Sequence, residues 1–337
     1  MIKKDLISVI IPVHNGQDYL MNCVNSILEQ QNPRYDLEII IVNDGSTDHT
    51  GIICENIKKE YDIIRIITME DLGVSCARNA GLDIMNGDFV TFVDADDRLI
   101  SGALKHMYEM CNDGDFDFAG IDFFTWHSEN DYDEAVKKIN ADYSGSNITY
   151  KGFEYLDKGI LSGDCRCWGK IYRRSSIGRI RFEKDLSIGE DMLFLLDVVS
   201  KSTKLAISGF SGYGYFINPG GLTLRTFNPE YMDRITCWQK AYDRIALIRP
   251  DLNYRTAANI MVSVMLTVGK IAILPKKVRN EYLSEIKDCQ RKLREAFKVS
   301  GAYHELSFGY KIKVRLFALC PRLYINLYYL WKYRKNN

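Results

Sequence analysis

The sequence has no net charge: 44 Lys and Arg balance 44 Asp and Glu, so no global field draws the chain toward nucleic acid or acidic polymers. It has no C-x-x-C pair. Its nine cysteines are odd in number and scattered, with only Cys165 and Cys167 close together. That pattern suggests neither a disulfide framework nor a zinc knuckle, and a reducing cytosol fits it best. A secretory leader is not expected, because the first apolar run is short and interrupted by Pro12, so Asn147-Ile-Thr149 reads as an idle glycosylation sequon. The apolar stretch Ala257 to Gly269 is about 13 residues, against the roughly 20 a spanning helix needs. There is no internal repeat, no low-complexity tract and no P-loop, since Gly169-Lys170 and Gly269-Lys270 lack both the earlier glycine and the following Ser/Thr. Gly209, Gly212 and Gly214 open no helix after a strand, which removes the dinucleotide fingerprint.

What is present is ordinary globular composition over 337 residues, 46% hydrophobic and 26% charged, enough for about two domains. The first hundred residues alternate: strands at Ile7–Val13, Leu37–Val42, Ile63–Thr68 and Phe89–Val93, with helices at Tyr19–Gln30, Thr47–Glu60 and Ser75–Met85. Such alternation predicts a parallel sheet whose ligands bind beyond the carboxyl ends of its strands. Residues 101–111 read as a helix, Asp117–Phe124 as a strand, and the polar segment Asn130–Ser146 as a loop or insertion. From about Tyr231 the pattern is helical, over Asp233–Ile248, Arg255–Ile273 and Lys277–Lys298, which puts a domain boundary near residue 225.

Polar turns follow the strands: His14-Asn15-Gly16, Asn43-Asp44-Gly45-Ser46 and Asp94-Ala95-Asp96-Asp97. In one parallel sheet Asn15, Asp44 and Asp94 share an edge and can converge on one ligand. The carboxylates of Asp94, Asp96 and Asp97 repel one another, and a Mg²⁺ or Mn²⁺ ion sharing phosphate oxygens would resolve the conflict; a solvated acidic turn is the plainer alternative. For Glu190-Asp191 the alternatives are a catalytic role or simple capping of the apolar helix that follows.

In order along the chain stand Ser8-Val-Ile-Ile-Pro-Val-His-Asn15, Ile41-Val-Asn-Asp-Gly-Ser-Thr-Asp48, Gly73-Val-Ser-Cys-Ala-Arg-Asn-Ala-Gly81, Val93-Asp-Ala-Asp-Asp97 and Gly189-Glu-Asp191. Over about residues 5–225 this resembles the family 2 glycosyltransferases of GT-A fold, of the bacterial capsule, exopolysaccharide and lipopolysaccharide type. The resemblance implies an α/β fold with a Rossmann-like, mostly parallel sheet in a catalytic domain over 1–225, its nucleotide-sugar half at 1–97 and its acceptor half at 98–225, followed by a helical region at 226–337. It implies an inverting transfer of one sugar from a nucleotide sugar, most often a UDP-sugar, to a glycan or polyprenyl-diphosphate-linked acceptor. Pro12, Val13 and Asn15 would lie along the nucleotide, Asp44 would accept a hydrogen bond from the base, and Arg78 and Asn79 would sit near the ribose or diphosphate. Asp94 would lie by the ribose and metal, Asp96 on the metal, and Asp191 would be the base for the acceptor hydroxyl, with Glu190 beside it. Asp97 would assist or cap the next helix. Cys165-Arg-Cys-Trp-Gly-Lys-Ile-Tyr-Arg173 resembles the family segment before the base. There Trp168 would stack on a sugar ring or pack in the core, and Lys170 would hold an acceptor or phosphate oxygen. Asn218-Pro-Gly-Gly-Leu-Thr-Leu-Arg225 reads as a hinged loop closing over the donor or as a plain turn.

The many spans and the Q-x-x-R-W motif of processive synthases are missing, which favours single-sugar addition. From Tyr303 onward seven basic residues stand against Glu305 alone, and residues 311–335 interleave them with aromatics. That segment would dock on an anionic membrane face or pack on the catalytic domain. The expected location is the cytoplasm, at the inner face of the membrane. Competing readings are a sugar nucleotidyltransferase, which carries a Gly-rich basic loop where this chain has Pro12-Val-His-Asn-Gly16, and a non-catalytic assembly partner of the same fold.

Overall fold

The computed structural model describes residues 4–142, 146–221 and 225–335. The chain forms two compact units: Met1–Leu156 with Cys165–Lys184 and Phe194–Gly221, and Asp157–Asp164 with Asp185–Leu193 and Leu222–Asn337.

The first unit is built on strands β1 (Asp5–Val13), β2 (Tyr35–Asp44), β3 (Ile64–Met69), β4 (Phe89–Phe92), β5 (Arg98–Leu99), β6 (Phe118–Trp126), β7 (Asn147–Lys151), β8 (Lys170–Arg173) and β9 (Lys204–Phe216). They form one sheet in the order β3-β2-β1-β4-β8-β6-β9-β5, with β7 on β9. Pairing is parallel from β3 to β4 and between β6 and β9, and antiparallel where β8 enters between β4 and β6. The centre of β1 and β2 is isoleucine and valine because both faces are covered: Ile7, Val9 to Ile11 and Ile39 to Val42 are buried. Pro12 is tolerated on this inner strand because its missing N–H falls beyond the last β1–β4 pair, Ile10–Phe92.

Helices α1 (Leu20–Leu28), α2 (Thr50–Glu60), α3 (Val74–Ile84) and α4 (Ala103–Asp113) follow the early strands. On α1 the buried Leu20, Cys23, Val24 and Ile27 make one stripe at helical spacing. α3 lies against β1 and β2, and it comes close because residue 81 is glycine. A Cβ there would stand 2.6 Å from Ile10 Cγ2.

The polar segment expected as a loop is instead largely helical: α5 spans Glu129–Asp142, and residues 143–145 lie outside those described. Its low hydrophobicity hides an i, i+3, i+4, i+7 pattern in Tyr132, Ala135, Val136 and Ile139, and Glu129 and Asp131 favour its first turn. Short helices α6 (Glu154–Lys158) and α7 (Arg174–Ile177) precede α8 (Glu190–Val199).

The second unit continues with α9 (Asp233–Ile248), α10 (Asn253–Ala272), α11 (Lys276–Arg279), α12 (Leu283–Phe297), α13 (Ala302–Glu305), α14 (Phe308–Leu319) and α15 (Pro321–Lys335). The apolar run noted in the sequence is the interior of α10, with Ala257, Met261, Val264, Val268 and Ile271 buried among Ile235, Cys289, Leu293, Val314 and Phe317. Most of the stretch is buried because helices pack on several sides of it, and Leu266 remains exposed. Among the described residues no helix is long and apolar enough to cross a membrane. Pro321 stands at the first position of α15, where its missing N–H costs nothing.

Candidate active site

The carboxyl edge of β1 and β2 is stitched by side chains. Asn15 sits at φ +52°, a left-handed conformation that asparagine tolerates. Its N–H donates to Ser46 Oγ at 2.9 Å, and its Oδ1 accepts from Thr47 N at 2.8 Å, Thr47 Oγ1 at 3.3 Å and Asp48 N at 3.3 Å. His14 Nδ1 lies 2.6 Å from the Asp44 carbonyl oxygen, so that nitrogen carries the proton. Its Nε2 then accepts from Asn15 Nδ2 at 3.0 Å. Asp44 itself is buried and accepts from the Leu72 N–H at 2.9 Å. Pro12 and Val13 are buried in register with Val42 and Asn43, beneath this turn.

The edge continues after β4. Arg78, projecting from α3, is 3% exposed yet its guanidinium donates to Asp94 Oδ1 at 2.8 Å and lies over the Phe182 ring at 5.3 Å. Asn79 does not face the same way. Its Nδ2 donates to the Phe182 carbonyl at 2.9 Å and its Oδ1 accepts the Phe182 N–H at 2.8 Å, so its amide fixes the neighbouring segment. Asp96 accepts from Asn218 Nδ2 at 3.0 Å. Asp97, expected to assist or to cap a helix, caps none. It is fully buried and accepts from Tyr213 Oη at 2.7 Å and Phe216 N at 2.8 Å, while α4 starts six residues on, behind Gly102.

Electrostatics follow from this packing. Burial pushes the Asp96 carboxyl above its ordinary value despite the Asn218 hydrogen bond. Asp97 is pushed well up, by burial first and then by the charges of Asp94 and Asp96. Burial and the Asp97 charge likewise raise the Tyr213 phenol. The turn is a site of frustrated negative charge held in place from β9. Tyr213 carries no local signal of this role, because β9 reaches the turn only through long-range pairing with β5 and β6; Asn218, just past β9, opens the segment that reads from sequence as a hinged loop or a plain turn.

Trp168 is 7% exposed. It stacks on Tyr213 with ring centroids 4.4 Å apart and on Tyr215 at 5.3 Å, and the Arg166 guanidinium lies 5.0 Å from its centroid and 4.3 Å from that of Phe123. Lys170 is buried in β8, its carbonyl accepting from Thr91 Oγ1 at 2.8 Å. Glu190 and Asp191 open α8 and belong to the second unit; Glu190 is buried and Asp191 partly exposed. The Gly189 before them has φ +95°, and a Cβ there would meet Cys237 Sγ at 2.3 Å, so both backbone and space demand glycine. Of the loop ending at Arg225, residues 222–224 lie outside those described.

The family model for glycosyl transferase family 2 matches residues 8–181. Glycosyltransferase GlyA of Streptococcus pneumoniae serotype 4 is 32% identical over 239 residues, which are 69% of this chain and 33% of GlyA; the chain thus spans a third of that relative's length. Among solved structures, S. aureus TarS 1-349 superposes with a TM-score of 0.64 at 18% identity over 99% of this chain and 92% of TarS 1-349. The same TarS fragment in complex with UDP-GlcNAc gives a TM-score of 0.59 at 19% identity over 99% of this chain and 93% of that one. The mannosyltransferase PcManGT from Pyrobaculum calidifontis, in complex with GDP-Man and Mn2+, gives 0.53 at 14% identity, covering 95% of this chain and 89% of its own. These likenesses establish the GT-A type of fold for the chain.

Proposed function

We propose a reaction for this chain, which belongs to glycosyl transferase family 2: inverting transfer of one sugar from a nucleotide sugar, a UDP-sugar in the first instance, to a hydroxyl of a glycan or polyprenyl-diphosphate-linked acceptor in surface polysaccharide synthesis at the cytoplasmic side of the membrane. The observation that carries the reading is the Arg78–Asp94 pair, a 3% exposed guanidinium 2.8 Å from a carboxylate at the carboxyl edge of the sheet, beside the turns that hold Asn15 and Asp44. A cation held there faces the side on which a diphosphate would lie in such folds.

The donor's base would meet Asp44, whose carboxylate oxygens can accept the N3–H of uracil; cytosine offers no such proton. Pro12, Val13 and Asn15 shape the wall beside it. Among the described residues no set of three or more His, Cys, Asp or Glu side chains is gathered around a metal position. Asp94 and Asp96 nevertheless fit Mg²⁺ or Mn²⁺, which take one or two carboxylates and complete their shell from substrate phosphates. The burial that raises the Asp96 and Asp97 carboxyls is the strain that a divalent cation relieves. Once bound, such an ion supplies electrostatic stabilisation of the departing nucleoside diphosphate. Arg78 adds fixed positive charge on the same side. To Asp191 we assign removal of the acceptor hydroxyl proton; Trp168, Lys170 and Glu190 are assigned to the acceptor. TarS was solved with UDP-GlcNAc and PcManGT with GDP-Man and Mn2+; both support a nucleotide-sugar donor, and the second supports the cation.

Calorimetric titration with UDP, with and without Mn²⁺, in wild type and Asp96→Ala, tests this. Manganese-dependent binding lost in the variant is expected, followed by turnover of a UDP-sugar that is abolished in Asp191→Asn. Binding of a GDP- or dTDP-nucleotide in place of UDP would replace the donor, and absence of binding to any of them would sink the reading.

A further inference from the structure

Helices α14 and α15 have two apolar faces each. The inner ones, Val314 and Phe317 on α14 and Tyr324 and Ile325 on α15, are buried in the core of the second unit. The outer ones are in solvent. Phe308 is 79% exposed, Ile312 54% and Leu319 79%, at i, i+4 and i+11 on α14; Leu323 is 49%, Leu327 48% and Leu330 56% exposed, at i, i+4 and i+7 on α15. These spacings draw one stripe along each helix, on a side other than the buried one. Trp331, 49% exposed, flanks the second stripe. A surface helix normally turns charge outward, and two successive helices that turn leucine, isoleucine and phenylalanine outward mark a contact surface.

Charge identifies the occupant. From Leu306 to Asn337 the sequence holds seven Lys and Arg and no Asp or Glu; Arg315 is exposed in line with the α14 stripe, and Arg322 and Lys332 are exposed near the two ends of α15. A second copy meeting this face about a two-fold axis would set these bases against their own likeness. A soluble acidic polymer would answer the bases and leave the stripes in water. An anionic bilayer surface answers both at once: basic side chains reach headgroup phosphates while the apolar stripe and the indole sink to the acyl boundary. At 12 and 15 residues the two helices are too short to span, so they lie in the plane. We propose that α14 and α15 form a docking surface for anionic phospholipid membranes, independently of the reaction proposed above.

Co-sedimentation of the full chain with vesicles of phosphatidylcholine, or of phosphatidylcholine and phosphatidylglycerol in equal parts, tests this. Binding to the second and not the first is expected, weakening as salt rises. Arg315→Gln/Arg322→Gln/Lys332→Gln should lose roughly fivefold in affinity per charge removed, and Leu323→Ser/Leu327→Ser/Leu330→Ser at least about tenfold. All six positions are exposed, and unchanged circular dichroism and thermal unfolding show that each variant folds. Equal binding to both vesicles, or to neither, overturns the proposal. So does a dimer, seen by sedimentation equilibrium, that the leucine variant abolishes, since the face would then belong to a second copy.

Discussion

The phenol of Tyr213 donates to Asp97 Oδ2 at 2.7 Å and accepts the backbone N–H of Asp94 at 3.2 Å. One side chain of β9 thereby ties both ends of the turn Asp94-Ala95-Asp96-Asp97. Tyr213→Phe would keep the ring stacked on Trp168 and remove only the hydroxyl, leaving the Asp94 N–H and one oxygen of a buried carboxyl without their partner. The expected cost is about 1–3 kcal/mol in urea unfolding, with UDP affinity in Mn²⁺ falling about tenfold as the turn loosens. A variant of unchanged stability and affinity would show that Phe216 N alone positions Asp97.

Arg78 meets Asp94 with one arm of its guanidinium while the plane lies over Phe182. Lysine matches the charge and not the fork or the stacking. Arg78→Lys is therefore expected to lower UDP affinity about tenfold and Arg78→Ala about a hundredfold, on the scale of hydrogen bonds to charged groups. If the two variants bind UDP alike, only charge matters at this position, and if both bind like wild type, Arg78 serves the fold alone.

The parallel half of the sheet was legible because each strand from β1 to β4 is a short β-branched run bounded by a polar turn, and short-range pattern is enough for that. Asn15, Asp44 and Asp94 are legible for the same reason, since they sit at strand ends, whereas Arg78 on the following helix is marked only by the family resemblance of its motif. The burial of Asp97 is not legible in the sequence, since its partners, Tyr213 and the Phe216 N–H, lie more than a hundred residues away, and no local pattern encodes that pairing. α5 reads as a loop from sequence because its apolar positions are few and its charges many. Glu38 gives no local signal of its role, because its partners Ser8, Arg65, Asn86 and Gly87 come from distant parts of the chain.

Asn15 bridges two turns rather than capping one. Its Oδ1 accepts three hydrogen bonds from Thr47 and Asp48, so the β1 turn and the β2 turn are held as one wall. Asn15→Ala removes all three and places an ordinary residue at φ +52°. A loss of about 2 kcal/mol in chemical denaturation is expected, together with faster amide exchange at Thr47 and Asp48. Asn15→Gly, which relieves the backbone and leaves the bonds unmade, separates the two contributions: if it restores full stability, conformation and not bridging is the role of this residue.

Glu38 lies in the middle of β2, 7% exposed. Its Oε1 accepts from Ser8 Oγ at 2.5 Å, Asn86 N at 2.5 Å and Gly87 N at 3.1 Å, and its Oε2 accepts from Asn86 Nδ2 at 3.2 Å and Arg65 at 3.3 Å. Burial alone would raise this carboxyl, but the hydrogen bonds from Ser8, Asn86 and Arg65 together hold it below its ordinary value of 4.5. A folded-state value below the unfolded one means that the unfolded chain binds the proton more readily, so the carboxylate's contribution is complete above 4.5 and is lost as pH falls through the lower, folded value. Glu38→Gln keeps the shape, but turns an NH₂ toward groups that also donate, and should cost about 1–3 kcal/mol at pH 7. Urea unfolding followed from neutral pH into the acid range should then show the gap between wild type and variant narrowing only below 4.5. A gap that stayed constant with pH would mean that Glu38 titrates alike in the folded and unfolded chain, and a gap that widened on acidification would mean that the donors around it are satisfied by a neutral acid.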